Sequence, residues 1–179
     1  SITQGGCASR PGNSYQALIS RRFNIDYFNF GFSGNALGEK TMADYIAALP
    51  MSLFFLDFDH NSPNAEHLKA HHESFFLNIR EKNPDLPVIM ATKTDIPRSP
   101  AAENSNAAHR AVVYETYENA VKRGDRNVIF IDGATVFSKA LTLSAPADSC
   151  TVDGCHPNDL GFACMAKVFG DAIEKMLGL

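Results

Sequence analysis

Residues 87–91 (PVIMA) and 127–131 (NVIFI) enclose the stretch of sequence that decides the fold. Each is a short apolar run bounded by Pro, Asn or Asp, as is typical of strands buried on both faces. Between them lie a polar loop, residues 92–100 (TKTDIPRSP), and a helical pattern over residues 103–123. A strand, a helix and a second strand in this order predict a right-handed crossover between parallel strands.

Two further runs of the same kind, residues 26–32 (DYFNFGF) and 52–58 (SLFFLDF), raise the predicted number of strands to four. Helical patterns cover residues 13–23, 39–49, 66–82, 103–123 and 159–177. Alternating strands and helices indicate an α/β fold with a doubly wound parallel sheet.

Two of these helices have a clear core face. In residues 66–82 the core-facing side chains are Leu68, His72, Phe75, Phe76 and Ile79. In residues 159–177 the apolar stripe is Phe162, Met165, Ala166, Phe169, Ile173 and Met176. Steps of three and four residues are the spacing of a helix that packs one face on a sheet.

Composition limits the function classes. The chain has 179 residues, is 45% hydrophobic and has a net charge of −4, which fits one globular domain with its own core. The acidic balance and scattered cations argue against nucleic-acid binding, and no apolar run reaches the roughly 18 residues of a membrane span. The four cysteines lack the paired spacing of a zinc site and leave the compartment open.

Asp153 precedes His156 by three residues in a turn that contains Gly and Pro. Such a turn lets the carboxylate meet Nδ1–H of the imidazole, which fixes the tautomer and leaves Nε2 free to act as a base. The alternative is that both are ordinary turn residues and that Asn158 or Asp159 caps the following helix.

A base needs a nucleophile, and Ser1 is a candidate if residues 1–6 (SITQGG) form the turn after a preceding strand. Gly34 and Asn61 follow the next two predicted strands, so a backbone N–H and a side-chain amide are available for a developing oxyanion. A frayed terminus at Ser1, a tight turn at Gly34 and a surface loop at Asn61 are the alternatives.

Four separated blocks carry a family resemblance. They are residues 1–5 (SITQG), 32–35 (FSGN), 57–61 (DFDHN) and 153–157 (DGCHP). Their order and spacing resemble the SGNH (GDSL-like) hydrolases, and the first block looks closest to the bacterial GDSL-like lipase/acylhydrolase branch. The resemblance implies a flavodoxin-like three-layer α/β/α fold with a parallel sheet of about four to five strands. It also implies hydrolysis of esters or thioesters with no metal and no cofactor.

The resemblance also assigns roles to residues of this chain. Ser1 would be the nucleophile, His156 the general base and Asp153 its orienting partner. The oxyanion hole would consist of the N–H groups of Ser1 and Gly34 and the side chain of Asn61. His60 departs from the family pattern, which has Gly before the Asn of this block, so it narrows the pocket or contacts the substrate.

Ser1 as a true N-terminus would carry an ammonium group in place of the peptide N–H that an oxyanion hole uses. We therefore expect residues 1–179 to be one catalytic domain that forms the C-terminal part of a longer protein. The missing upstream part would contain the first strand of the sheet and a further domain.

Charged side chains at the predicted rim are candidates for substrate contacts. Arg10 ends the first loop, and Lys93, Asp95 and Arg98 belong to the loop after the strand at residues 87–91. They orient a polar or anionic substrate, or they are ordinary surface charges.

The histidine and cysteine patterns favour structural roles. His67 and His71 have the spacing of a zinc pair, but no Glu lies between them and both fall on the flank of their helix, which favours a solvated face. Cys7 and Cys150 would lie in loops that the proposed site brings together, so either a disulfide or buried thiols are expected there.

The catalytic candidates and the family resemblance together predict a serine esterase. The resemblance alone suggests its substrate, small acyl groups, acetyl above all, on carbohydrate. The enzymatic alternative is a lysophospholipase or thioesterase. A non-catalytic module that binds glycans or phosphate on the same fold is the alternative from another class. A small-molecule ester is the expected partner, without nucleic acid, and a periplasmic or secreted location is favoured over the cytoplasm. The sequence gives no oligomeric state.

Overall fold

The computed structural model describes residues 1–141 and 146–179, which form six α-helices and three β-strands. In chain order these are α1 (Tyr15–Phe23), α2 (Lys40–Ala47), β1 (Phe54–Leu56), α3 (Ala65–Lys82), β2 (Val88–Ala91), α4 (Pro100–Lys122), β3 (Val128–Ile131), α5 (Val136–Ala140) and α6 (Asp159–Leu177). In the described ranges, none of the helices combines the length and apolarity needed to cross a bilayer.

The chain divides into two compact units. Unit 1 consists of Ser1–Gly34, Thr94–Pro100 and Gly133–Leu179. Unit 2 consists of Asn35–Lys93 and Ala101–Asp132. The sheet therefore belongs to unit 2, whereas α1, α5 and α6 belong to unit 1.

Unit 2 contains a parallel sheet with the strand order β1-β2-β3. Phe54 of β1 lies opposite Val88 of β2, and Val88 lies opposite Val128 of β3. All four residues of β2 are buried, as expected for a central parallel strand. The buried residues of α3 are the five predicted from its periodicity. The predicted α/β class with a parallel sheet is confirmed.

Residues 26–32 correct the predicted number of strands. Within the described residues the sheet has three strands, not four or five, and residues 26–32 have no strand pairing. The side chains of Tyr27 and Phe28 are 47% and 66% exposed, and the N–H of Gly31 donates to Oδ1 of Asn29 in the same segment (2.9 Å). The apolar run predicts a buried strand, but its rings are exposed and the N–H of Gly31 is bonded within the segment, so it does not pair with a neighbouring strand.

Unit 1 is organised by α6, which begins where the Asn158 side chain accepts a hydrogen bond from Gly161 N–H (3.1 Å). The ring of Tyr15 in α1 packs edge-on against Phe169 of α6, with centroids 5.4 Å apart. Five members of the predicted stripe are buried and Met176 is half-buried. α5 was not predicted, because five residues are too few for a periodic signal.

Candidate active site

Ser1 begins a succession of tight turns. The N–H of Gly5 donates to the carbonyl of Ile2 (2.9 Å), and the N–H of Gly6 donates to that of Ser1 (3.0 Å). Gly5 has φ +85°, a left-handed conformation that glycine adopts without steric cost. The buried side chain of Ile2 anchors the turn in unit 1.

Side chains from two neighbouring segments hold this turn in place. The carbonyl of Thr3 accepts hydrogen bonds from the amides of Gln16 (2.6 Å) and Asn29 (2.8 Å). Gly31 lies so close to the backbone of Gln4 that a side chain at residue 31 would collide with it. The segment that was predicted to be a strand therefore supports the turn that carries Ser1.

The turn from Thr151 to Pro157 carries the second part of the site. These two residues form an antiparallel bridge, and the N–H of Val152 donates to the carbonyl of His156 (2.9 Å). Gly154, at φ +91°, donates its N–H to Oγ1 of Thr151 (3.0 Å). The turn is thus closed by its own hydrogen bonds.

Asp153 binds the histidine of the same turn. Its Oδ1 accepts hydrogen bonds from the N–H groups of Cys155 (2.8 Å) and His156 (2.7 Å), and its Oδ2 lies 2.7 Å from Nδ1 of His156. These contacts, led by the backbone N–H of His156, hold the pKa of Asp153 well below its usual value. The ionised carboxylate assigns the ring proton to Nδ1.

Nε2 of His156 lies 2.9 Å from Oγ of Ser1. Because Nδ1 carries the proton that faces Asp153, Nε2 presents a lone pair and the hydroxyl of Ser1 donates to it. The structure therefore brings together the three side chains that were predicted to react. This arrangement can remove the serine proton as the oxygen attacks an electrophile.

Asp159, in the first turn of α6, binds the loop that follows Ser1, a contact that its predicted role as a possible helix cap does not include. Its Oδ1 accepts the N–H of Ser9 (2.8 Å), and its Oδ2 accepts the hydroxyl of Ser9 (2.5 Å) and the amide of Asn13 (2.9 Å). The Ser9 hydroxyl is the first cause of a lowered pKa at Asp159. No periodic pattern records contacts between segments this far apart in sequence.

The two other predicted oxyanion donors have separate environments. Gly34 belongs to unit 1 at φ +85°, and a side chain there would meet nothing within 4 Å. Asn61 belongs to unit 2 and ends the short 3₁₀-helix Asp59–Asn61, which follows β1. The oxyanion roles of both residues stay predictions.

Asp59 ties the turn that carries Asn61 to the end of β2. Its buried Oδ2 accepts the backbone N–H of Lys93 (3.0 Å). Burial raises the pKa of Asp59 to about 7, because a low-dielectric interior disfavours the carboxylate.

The predicted rim residues differ in accessibility, and Asp95 is buried. His60 is mostly buried, with Nε2 3.6 Å from Oδ1 of Asp59, and Lys93 is half-buried. Arg10 is exposed, and its charge contributes to lowering the pKa of Asp159. Arg98 is exposed and lies against Gly154 in the histidine turn. Contact of any of them with substrate stays a prediction.

His67 and His71 stack with ring centroids 4.1 Å apart, and Nδ1 of His71 lies 2.8 Å from the carbonyl of His67. Across residues 1–141 and 146–179, no group of three or more His, Cys, Asp or Glu is arranged to hold a metal ion.

All four cysteines are free thiols, so Cys7 and Cys150 form no disulfide; the thiol of Cys150 is buried and that of Cys7 is partly exposed. Cys150 is hydrogen-bonded to Cys164, and burial raises its pKa to about 12. A thiol with so high a pKa is a poor nucleophile.

Comparison with known proteins gives one family. The GDSL-like lipase/acylhydrolase family matches residues 1–174. Curated proteins give no sequence match.

Solved structures include similar chains. A protein from Bacteroides ovatus named as a GDSL-like lipase is 31% identical, with a TM-score of 0.85 over 99% of this chain and 51% of that one. A salicylyl-acyltransferase from a tetracycline biosynthetic pathway is 21% identical, with a TM-score of 0.76 over 97% and 52%. A two-domain esterase active on acetylated mannans is 19% identical, with a TM-score of 0.71 over 100% and 48%. The chain spans about half the length of these proteins.

Proposed function

The chain belongs to the GDSL-like lipase/acylhydrolase family, and from this membership we propose that it is a serine esterase. The observation that carries the proposal is the continuous path from Oγ of Ser1 through His156 to the carboxylate of Asp153, with contacts of 2.9 and 2.7 Å. These are hydrogen-bond distances suited to proton transfer.

The proposed reaction has two steps, acylation and deacylation, and His156 is the base in both. Nε2 of His156 accepts the proton of Ser1 as Oγ attacks the acyl carbonyl, and the imidazolium then protonates the departing alcohol. Water attacks the resulting acyl-enzyme and gives its proton to the same nitrogen, which releases the carboxylic acid and restores Ser1. Asp153 stabilises the imidazolium in both steps.

Negative charge on the carbonyl oxygen needs donors fixed in advance. We assign the backbone N–H groups of Ser1 and Gly34 and the side-chain amide of Asn61 to this role. The family resemblance supports these assignments.

For the substrate we propose small acyl esters, acetyl above all, on carbohydrate. The likeness in fold to an esterase active on acetylated mannans and the charged side chains of Arg10 and Arg98 support a polar substrate. A lysophospholipase would prefer esters of long acyl chains, and a thioesterase would prefer thioesters. A binding module would hydrolyse none of these substrates.

Labelling of the full-length protein with a fluorophosphonate tests the proposal. We expect one adduct per chain, mapped to the peptide that contains Ser1, and none in Ser1→Ala. Ser74→Ala, which changes an exposed serine of α3, serves as the matched control and keeps full labelling. Absence of an adduct from the wild-type protein, or an adduct on another residue, would contradict the proposal.

Turnover then identifies the substrate class. We expect the kcat/KM for para-nitrophenyl acetate to exceed that for the octanoate, and acetate to be released from acetylated mannan or xylan. A preference for octanoate would support lipid hydrolysis. Binding of unacylated glycan without turnover would support the binding module.

A further inference from the structure

The side chain of Arg98 packs against Gly154, in the turn that holds both Asp153 and His156. A Cβ placed at Gly154 would lie 2.5 Å from Nε of Arg98 and 3.0 Å from its Cδ and Cγ. The absence of a side chain at residue 154 therefore creates the space that the arginine occupies. Arg98 therefore packs on a residue that lies two positions before His156 in the same turn.

The loop that carries Arg98 is anchored to the same part of unit 1. The N–H of Ile96 donates to the carbonyl of Gly154 (2.8 Å), and the hydroxyl of Thr94 donates to Sδ of Met165 in α6 (3.5 Å). These contacts fix the backbone before the arginine to the histidine turn and to the helix that follows it. The position of the cation relative to His156 is consequently defined by the fold.

The charge of Arg98 has no counter-ion in the part of the chain that the structure describes. Four other arginines, namely Arg22, Arg80, Arg110 and Arg123, each form an ion pair with Asp or Glu. Asp153, the nearest acid in sequence to Gly154, directs both carboxylate oxygens to Cys155 and His156. Arg98 thus presents an exposed guanidinium, with no acidic partner among the described residues, beside the turn that holds Asp153 and His156.

We propose that Arg98 forms an anion subsite and that the preferred ester carries a carboxylate group. The inference rests on the proposed function, because it places the subsite beside Ser1 and His156. A guanidinium matches a carboxylate through two parallel N–H donors, which makes it selective as well as attractive. The carboxylate belongs either to the alcohol, as in an acidic sugar, or to the acyl group, as in a dicarboxylic monoester.

Two matched pairs of esters test the subsite. One pair is para-acetoxybenzoate and its methyl ester, with the acid on the alcohol side. The other is the succinyl monoester of para-nitrophenol and its methyl ester, with the acid on the acyl side. For each pair, the ratio of kcat/KM for the acid to that for the methyl ester is measured in wild type and in Arg98→Met. Comparing ratios between proteins cancels the intrinsic reactivity of the esters.

In at least one pair we expect the ratio to fall about tenfold in Arg98→Met, the effect of losing a charge-assisted hydrogen bond. The change should come from the acid, with the kcat/KM for the methyl ester within about twofold of wild type. In Arg98→Lys the ratio of acid to methyl ester should lie between those of wild type and Arg98→Met. Added salt should lower the ratio in wild type but not in Arg98→Met. The matched control is Arg126→Met, which changes an exposed arginine of unit 2 and should leave the ratio of acid to methyl ester unchanged.

The pair that responds identifies which side of the ester carries the acid. Equal losses for acid and methyl ester in Arg98→Met would show that Arg98 only supports the turn, and would overturn the subsite. Unchanged ratios in both pairs would overturn it as well. Failure of the wild-type protein to cleave any ester or to react with a fluorophosphonate would instead overturn the esterase, and the subsite with it.

Discussion

Oγ of Ser1 lies 2.9 Å from Nε2 of His156, although 155 positions of sequence separate the two residues. The serine turn is held by side chains of Gln16 and Asn29, and the histidine turn by its own backbone. The contact between Ser1 and His156 therefore depends on two turns, each held by its own hydrogen bonds.

Asp153→Asn tests the role of the carboxylate. An amide NH₂ facing Nδ1 favours the tautomer with the proton on Nε2, which then cannot accept the proton of Ser1. We expect kcat to fall by about 10³- to 10⁴-fold, as in other triads, with KM changed by less than about threefold. Asp148→Asn, in an exposed position nearby, is the matched control. A loss in kcat of less than about tenfold would show that the base does not need this partner.

Asp159→Asn tests the link between the two turns. The variant keeps one acceptor for Ser9 N–H but places an NH₂ group against the Ser9 hydroxyl and the Asn13 amide. We expect kcat to fall by about ten- to hundredfold through misplacement of Ser1, with parallel loss of the fluorophosphonate labelling rate. Ser9→Ala should cause a smaller loss of the same kind. An unchanged labelling rate in Asp159→Asn would show that the contacts of Asp159 do not position Ser1 for the reaction.

Gly154→Ala and Gly124→Ala form a matched pair, since both residues have φ near +90°. At Gly124 a side chain meets nothing within 4 Å, so only the left-handed backbone opposes it, at about 1 kcal/mol. At Gly154 a Cβ also meets the exposed side chain of Arg98, which has to change rotamer, so the loss of unfolding free energy in urea should exceed that of Gly124→Ala by no more than about 1 kcal/mol. In an Arg98→Ala background the two costs should become similar.

Asp59→Asn tests the buried carboxyl group. The folded-state pKa of Asp59, about 7, lies above its ordinary value of 3.8, so between these pH values the folded protein binds more protons than the unfolded one. Its contribution to the free energy of unfolding therefore falls as pH rises through this window. We expect the stability of the variant relative to wild type to increase from about pH 4 to pH 8, by on the order of a few kcal/mol in urea titrations. A constant difference would mean that Asp59 ionises normally.

Asn61→Ala tests the proposed oxyanion donor of unit 2. Loss of one donor should lower kcat by about 10²- to 10³-fold with little change in KM, because the bond is formed mainly in the transition state. The Ser1–His156 pair is unaffected by the change, so labelling at Ser1 should still occur. A parallel rise in KM without a fall in kcat would assign Asn61 to ground-state binding.

Local patterns in the sequence predicted the structure best. The spacing of Asp153 and His156 predicted their contact because three residues of a turn determine it, and the stripe of α3 predicted its buried face. Periodicity failed for residues 26–32, because it records which side chains are apolar and carries no information on whether a strand partner is present.

Contacts between distant segments left no such trace. The pairing of Ser1 with His156 was predicted from four family blocks taken together, since one terminal serine has no distinguishing pattern. The link through Asp159 and the packing of Arg98 on Gly154 were missed for the same reason. Each depends on which surfaces the fold brings together.

The closed turn around Asp153 and His156 also has a consequence for the order of assembly. Its hydrogen bonds span only a few residues, so closing it costs less chain entropy than bringing Ser1 to His156. Ser1 reaches it only when the long intervening chain has folded. A chain in which this turn has closed but Ser1 is not docked has a proton acceptor with no alcohol beside it, and it is therefore inert towards esters.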